Sequence, residues 1–169
     1  DIDLVEQRLA QSLAYVSLAV RTFAADGTSK EVSKWFGPQA LKSPASRKKI
    51  SSVLNSVSNV LSDASISFGR ACDSDTFAYV YSCSSSHWEK DAYGRFRIFV
   101  CDMFFEEAEE QICTLIHEAS HHATACTKDI VYGTSSCSSL AILSPNYALE
   151  NADNYGYYIR DVALSHGSS

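Results

Sequence analysis

The sequence predicts an α+β fold in which helices surround a small antiparallel sheet. Two long stretches near the N-terminus repeat apolar residues every three or four positions, which indicates amphipathic helices. Three short segments farther along mix apolar and polar residues in a β-like pattern. No repeat, linker or charge block divides the 169 residues, so we expect one domain over residues 1–169.

Six helices account for most of the predicted structure. Gly27 marks the end of the first, because glycine readily takes the backbone conformation that closes a helix, and Pro44 suits the first turn of the third. Four glutamates between residues 106 and 110 favour a helix start there, since negative charge stabilises a helix N-terminus. The expected helices cover residues 2–25, 30–36, 43–63, 105–124, 136–143 and 145–164.

Three strands are expected between the third and fourth helices, over residues 66–71, 77–82 and 96–101. Clusters of Ser, Asp and Gly bound them, as is typical of short strands. The segment Asp91-Ala92-Tyr93-Gly94 has the composition of a turn. We expect these strands to form the small sheet.

Composition excludes two classes of partner. The formal net charge is −6 and no basic stripe is present, so nucleic acid is not an expected partner. No apolar run approaches the roughly 18–20 residues of a membrane span, so no membrane association is expected. The chain begins at Asp1 with neither an initiator Met nor a signal peptide, and we interpret it as a mature form, expected to be a monomer.

His117-Glu118-Ala119-Ser120-His121 is the motif that carries chemistry. On a helix, residues four apart lie on one face, so His117 and His121 can direct two nitrogens at one zinc ion, at about 2.0–2.1 Å. Glu118 lies one step round the helix, where it could reach a water on the metal. The motif predicts a hydrolytic zinc site; the alternative is a chance match on an amphipathic helix with surface histidines.

A catalytic zinc needs a third protein ligand. A glycine and a third histidine at the positions now held by Thr124 and Thr127 would supply one pattern, which is absent. Two carboxylates remain as candidates. Glu150 would give a thermolysin-like arrangement, whereas Asp129 lies just beyond the expected helix end, on a segment that could fold back beneath the metal.

The segment containing Asp129 resembles a known family. Residues 126–133 read C-T-K-D-I-V-Y-G and are similar to the G-T-x-D-x-x-Y-G box of the aspzincins, the zinc endopeptidases that include deuterolysin and the peptidyl-Lys metalloendopeptidases. Residues 34–37 and 151–155 are also similar to family segments. The one departure is Cys126, where the family has a glycine that takes positive φ freely.

The resemblance implies a zincin-like fold with the motif on a central helix, and a secreted endopeptidase that cuts proteins or peptides. It implies one Zn²⁺ with Asp129 as third ligand. Glu118 would act as general base and then acid, and Tyr132 would donate a hydrogen bond to the developing oxyanion. A catalytically inactive metal-binding domain is the alternative from another class.

Asp153 is expected in the wall of the site. It could bind the substrate residue after the scissile bond, or hydrogen-bond a ligand histidine from behind. The lysine-specific branch of the family has a second acid three residues beyond this Asp, and here that position is Gly156. We therefore expect a broad endopeptidase with a mild preference for Lys or Arg after the cut, and a strict peptidyl-Lys enzyme is the alternative.

An even number of cysteines without paired C-x-x-C spacing indicates disulfides and an oxidising compartment. Cys83 is expected to pair with Cys101, because the resemblance implies a similar family disulfide. Cys126 is expected to pair with Cys137, which would close the loop after the motif. Cys72 and Cys113 then form the third expected pair by elimination.

His122 is expected at the surface, and His87 and His166 carry no functional signal.

Overall fold

The computed structural model of the chain describes residues 1–81, 88–122 and 125–167. These ranges contain eight α-helices and three strands, with two short 3₁₀ turns, Ala40–Lys42 and Ala108–Glu110. The elements are α1 Ile2–Ala24, α2 Ser29–Phe36, α3 Pro44–Ser62, β1 Ala64–Phe68, β2 Ala78–Tyr79, β3 Phe96–Val100, α4 Asp102–Glu106, α5 Gln111–Ser120, α6 Thr134–Leu143, α7 Pro145–Ala148 and α8 Ala152–His166.

The helix-rich architecture with one small sheet is confirmed. The starts of the two longest N-terminal helices follow from local capping. The Asp1 side chain accepts a hydrogen bond from the backbone N–H of Asp3, and Ser43 accepts one from the N–H of Ser46 with Pro44 in the first turn. These caps satisfy backbone donors that have no partner within the helix.

The sheet is mixed, so the expectation of an antiparallel sheet is only half right. Its strand order is β1-β3-β2, with β3 parallel to β1 and antiparallel to β2. A parallel pair needs a long connection between its strands, and residues 69–95, which include β2 and the Asp91–Gly94 turn, provide it. β2 is therefore an edge strand of this sheet.

Two predicted helices are each divided. The segment expected from residue 105 contains α4, a 3₁₀ turn and then α5, which starts only at Gln111. The Gln111 side chain donates to the carbonyl of Phe104 and accepts from Arg8, so it holds this break in place. The segment expected over 145–164 divides into α7 and α8 because Asn151 bonds to the loop after α5 rather than continuing a helix.

An aromatic cluster fixes α8 against α2. The ring centroid of Phe36 lies 4.7 Å from that of Tyr155 and 5.4 Å from that of Tyr158. Asn154 also donates to the carbonyl of Trp35 over 2.6 Å. All of these side chains are fully buried, so the first turn of α8 is held rigidly.

The expected disulfide pairings are wrong. Cys72 is bonded to Cys101, which excludes the pairs Cys83–Cys101 and Cys72–Cys113. Cys113 and Cys137 are buried free thiols, which excludes Cys126–Cys137. Cys126 is disulfide-bonded, and Cys83 lies outside the described residues.

The parallel pairing of β1 and β3 explains the bond that forms. Parallel neighbours end at the same edge of a sheet, so the segments that follow β1 and β3 lie side by side. Cys72 and Cys101 occupy those two segments, with 5.9 Å between their Cα atoms. An antiparallel sheet would have separated them. Among the described residues, we find no helix with the length and apolar character to cross a membrane.

Candidate metal centre

The last turn of α5 carries the first two residues of the site. His117 and Glu118 lie on α5, and His121 is the residue that caps it. The two imidazole rings are 4.8 Å apart between centroids, and their Nε2 atoms are separated by 3.1 Å. This is the proximity that a spacing of four residues on a helix predicts.

The loop after α5 folds back beneath these histidines. Cys126 has φ +40°, in the left-handed region that glycine adopts freely and other residues rarely do. The N–H of Thr127 then donates to the carbonyl of Ser120, and the two side-chain hydroxyls are 2.5 Å apart. Two residues farther on, this path brings Asp129 to the histidines.

Asp129 completes a cluster of three donor atoms. Its Oδ1 lies 2.8 Å from Nε2 of His117 and 3.0 Å from Nε2 of His121. Tetrahedral ligands at about 2.05 Å from a zinc ion lie about 3.3 Å from one another. A few tenths of an ångström of expansion would therefore fit the ion.

The hydrogen bonds behind the rings show that the cluster suits a cation. Nδ1 of His117 faces Oδ1 of Asp153 at 2.5 Å, and Nδ1 of His121 faces the carbonyl oxygen of Thr127 at 2.8 Å. Both partners can only accept, so each Nδ1 carries the proton and each neutral ring presents a lone pair at Nε2. Three lone pairs then converge on one point, and two nitrogens with one carboxylate oxygen are a donor set that zinc accepts.

The pKa values of His117 and Asp129 also indicate that the cluster favours a positive charge. Burial acts to lower the pKa of His117, but hydrogen bonds to Asp129 and Asp153 outweigh it and raise the pKa to about 10. Burial acts to raise the pKa of Asp129, whereas the two histidines hold it well below its usual range. In the absence of a metal ion, a proton bound to His117 supplies the positive charge of the cluster.

Glu118 lies beside the cluster without belonging to it. Its side chain is buried, with Oε1 3.8 Å from Nε2 of His117. Burial raises the pKa of this carboxyl to about 7, against the opposing charges of the two histidines. A carboxylate with a raised pKa can take a proton near neutral pH and give it back.

Tyr132 lines the cleft next to the cluster. Its ring stacks on that of His117 at a centroid distance of 6.1 Å and an interplanar angle of 17°. Burial, followed by the charge of Asp129, raises the pKa of the hydroxyl to about 12. The group therefore stays protonated, and the side chain, 62% exposed, can present its O–H to a ligand in the cleft.

Asp153 lies in the first turn of α8, behind His117. Oδ1 accepts from His117, and Oδ2 accepts from the N–H of Gly133 over 3.1 Å. Both oxygens are thus engaged by the protein, although the side chain also borders the cleft. This geometry supports the orienting role more directly than the substrate-binding role.

Glu150 and His122 lie outside the donor cluster. Glu150, the alternative ligand, lies 3.8 Å from Nζ of Lys128 and is not part of the donor cluster that the described residues form. His122, expected at the surface, is fully buried and donates from Nε2 to the carbonyl of Arg97. α5 ends at Ser120, so the helical geometry that would turn His122 outward no longer applies.

A cleft of about 1030 Å³ opens over the donor cluster. It is lined by α5, the loop after it, the first turns of α8 and residues 75–80, which include β2. Sequence reasoning did not single out Glu110 and Thr114, which also line the cleft. Their spacing of seven and three residues from His117 places them on the same helix face, and this was the signal available.

Together the fold and the site define a helix-rich protein with a His₂Asp donor cluster, able to hold a metal ion, in an open cleft. The chain belongs to the aspzincin M35 family, whose model, described as lysine-specific metallo-endopeptidase, matches residues 21–160.

Sequence relatives agree with this membership. The chain is 34% identical over 132 residues to a peptidyl-Lys metalloendopeptidase of Armillaria mellea, covering 73% of this chain and 33% of that protein. It is 32% identical over 158 residues to a peptidyl-Lys metalloendopeptidase of Grifola frondosa, covering 89% and 39%. An extracellular protease of Aeromonas hydrophila is 27% identical over 107 residues, covering 60% and 28%. The chain thus spans well under half the length of these relatives.

A solved structure supports the fold. The zinc peptidase from Grifola frondosa superposes with a TM-score of 0.70 at 24% sequence identity, covering 94% of this chain and 92% of that one.

Proposed function

We propose that this chain is a zinc-dependent endopeptidase that hydrolyses peptide bonds in proteins. The observation that carries the proposal is the convergence of His117, His121 and Asp129 on one point, next to the buried carboxyl of Glu118, at the base of an open cleft. Zinc held by these three residues would act as a Lewis acid and lower the pKa of a water.

Glu118 is the proton carrier of the proposed reaction. Its carboxylate accepts the proton of the attacking water and then donates it to the leaving amine. Its burial and the position of Oε1, 3.8 Å from Nε2 of His117, support this role. A purely structural metal site has no use for a carboxylate in this place, which argues against the inactive-domain alternative.

Tyr132 stabilises charge on the substrate in this mechanism. The carbonyl oxygen becomes negative as the water attacks, and a neutral O–H within reach can donate a hydrogen bond to it. The raised pKa of Tyr132 keeps that proton on the hydroxyl. Asp153 and the carbonyl of Thr127 meanwhile hold the rings of His117 and His121 in the required orientation.

The edge strand β2 is the proposed platform for the substrate backbone. Residues 77–80 line the same cleft as the donor cluster, and an extended peptide can add to a free sheet edge through backbone hydrogen bonds. This arrangement selects for extended, unfolded segments of a substrate protein.

We propose a broad specificity with a mild preference for Lys or Arg after the scissile bond, with Asp153 as one attracting charge. Two relatives are named as peptidyl-Lys enzymes, so a strict preference is the alternative. Gly156 contributes no side chain, and both oxygens of Asp153 are already bonded, which favours the milder preference.

We also propose that the protein is secreted and is a monomer. The Cys72–Cys101 bond and the extracellular relative support secretion.

The decisive experiment measures metal content and proteolysis together. Purified protein should contain one zinc per chain and cleave a denatured protein. A chelator should abolish cleavage, and zinc should restore it. Sequencing the fragments then defines the specificity. Full activity in metal-free protein would overturn the proposal, and cleavage confined to bonds before Lys would replace broad by strict specificity.

A further inference from the structure

Glu110 is a carboxylate in the cleft that the proposed mechanism does not use. It precedes α5 by one residue and lines the cleft together with Cys113, Thr114 and His117, which follow on the same helix face. Its side chain is half-buried and makes no capping hydrogen bond to the helix. Within the described part of the chain, no Lys, Arg or His lies at ion-pair distance from it.

The other charges that line the cleft are compensated or exposed. Asp129 and Glu118 lie against the metal site, whose ion would balance two negative charges. Asp153 is bonded to His117 and Gly133. Lys128 lies near Glu150 rather than Glu110, and Asp75 is an exposed loop residue. Among the residues that the structure describes, Glu110 is thus the half-buried carboxylate of the cleft that forms no ion pair.

The surroundings of Glu110 favour a long cationic ligand. Burial, and then the charges of Asp153 and Glu110, raise the pKa of Tyr157, so this ring lies within the field of both carboxylates. The two arginines near this region are already engaged: the guanidinium of Arg160 lies over the ring of Tyr157 and bonds Asp161, and Arg8 bonds the side chains of Gln11 and Gln111. Gly156 packs against the backbone of Cys113, so α8 adds no acidic side chain at this position.

We propose that Glu110 is a specificity-determining residue that binds the charged end of a Lys or Arg side chain following the scissile bond. This inference rests on the proposed endopeptidase function. Helix rise places Glu110 about 10 Å from His117 along the axis of α5. A long side chain that starts one residue beyond the bond being cut would bridge that distance together with the side chain of Glu110, whereas a short one would not. The Tyr157 ring would pack against its aliphatic part.

Glu110→Gln tests the proposal because it removes the charge and keeps the shape. Matched peptides carry Lys, acetyl-lysine or norleucine after the same scissile bond. For the zinc-loaded wild type, kcat/KM should favour Lys over norleucine by roughly threefold to tenfold, since a single partly screened charge discriminates modestly. In Glu110→Gln that ratio should fall to within about twofold, because kcat/KM for the Lys peptide falls toward that for the norleucine peptide. Glu109→Gln, an exposed neighbour outside the cleft, is the control and should keep the wild-type ratio.

A binding measurement gives a second readout that does not depend on turnover. In the Glu118→Gln background, the Lys peptide should bind more tightly than the norleucine peptide, and adding Glu110→Gln should remove the difference. A wild-type ratio that persists in folded Glu110→Gln would overturn the inference while leaving the peptidase proposal intact. Failure of the wild type to cleave any of the peptides would instead refute the peptidase proposal, and this inference with it.

Discussion

Nδ1 of His117 and Oδ1 of Asp153 lie 2.5 Å apart, so the first turn of α8 orients a side chain on α5. The second oxygen of Asp153 accepts from the N–H of Gly133, in the segment that follows Asp129 and Tyr132. One carboxylate thus joins the motif helix, the ligand loop and the C-terminal helix. The aromatic cluster between α2 and α8 keeps that carboxylate in position.

Asp153→Asn should weaken zinc binding by about 10- to 100-fold, the usual effect of removing a carboxylate behind a ligand histidine. The amide can still accept from His117, but it loses the negative charge and presents an N–H₂ group toward the N–H of Gly133. Zinc affinity measured by competition with a chelator checks this. Asp161→Asn, on the same helix but bonded to Trp35, is the control and should bind zinc normally. Equal affinities for the two variants would contradict the orienting role.

Asp129→Ala should abolish stoichiometric zinc binding, because it removes one of three converging donors. Glu150→Ala should retain one zinc per chain, since Glu150 faces Lys128 instead. Metal analysis after dialysis distinguishes the two carboxylates. If Glu150→Ala lost zinc and Asp129→Ala kept it, the thermolysin-like alternative would be correct.

Glu118→Gln should keep its zinc and lose peptidase activity by at least about a hundredfold, the contribution typical of a general base. The amide fills the same buried space but cannot accept the proton. Zinc content and kcat are measured on the same preparation, so that loss of metal is not mistaken for loss of the base. A zinc-replete variant with near-wild-type turnover would contradict the mechanism.

The sequence predicted most helices and the grouping of the candidate ligands, because both depend on local spacing. His117 and His121 are neighbours through helix geometry alone, and Asp129 follows His121 by only eight residues. Their role as ligands stays a prediction until metal is measured. Helix divisions at Gln111 and Asn151 were missed because side-chain bonds to distant segments create them.

The sheet and its disulfide could not be predicted in the same way. Parallel pairing of β1 and β3 is a long-range choice, and the Cys72–Cys101 bond follows from it. The position of β2 at the sheet edge depends on the same choice. His122 was assigned to the surface on the assumption that the helix continued, whereas the chain leaves helical geometry after Ser120.

Two thiols should be detectable only after unfolding. Cys113 and Cys137 are free and buried, and burial raises the pKa of each thiol to about 12, so neither should react in the folded protein. Alkylation under native and then denaturing conditions, followed by peptide mapping, should label both residues in the second step alone. The same map should recover Cys72 linked to Cys101. A disulfide at Cys113 or Cys137 would contradict the structure.

Zinc binding should release protons and strengthen as pH rises. Because the folded-state pKa of His117 is about 10 in the absence of metal, that site holds a proton at about pH 7 that zinc must displace. The raised pKa also affects the stability of the metal-free protein. The bound proton stabilises the metal-free fold fully below about pH 6.5, the ordinary histidine pKa. This stabilisation is lost as pH rises toward about 10. The melting temperature of zinc-loaded protein should therefore exceed that of metal-free protein, and the difference should grow from about pH 6.5 to about pH 9.

Two measurements check this prediction. Calorimetric titration in buffers of different ionisation enthalpy counts the released protons, and thermal melts give the difference in melting temperature. Zinc binding without proton release, or a difference that narrows with rising pH, would show that His117 is not protonated in the metal-free site.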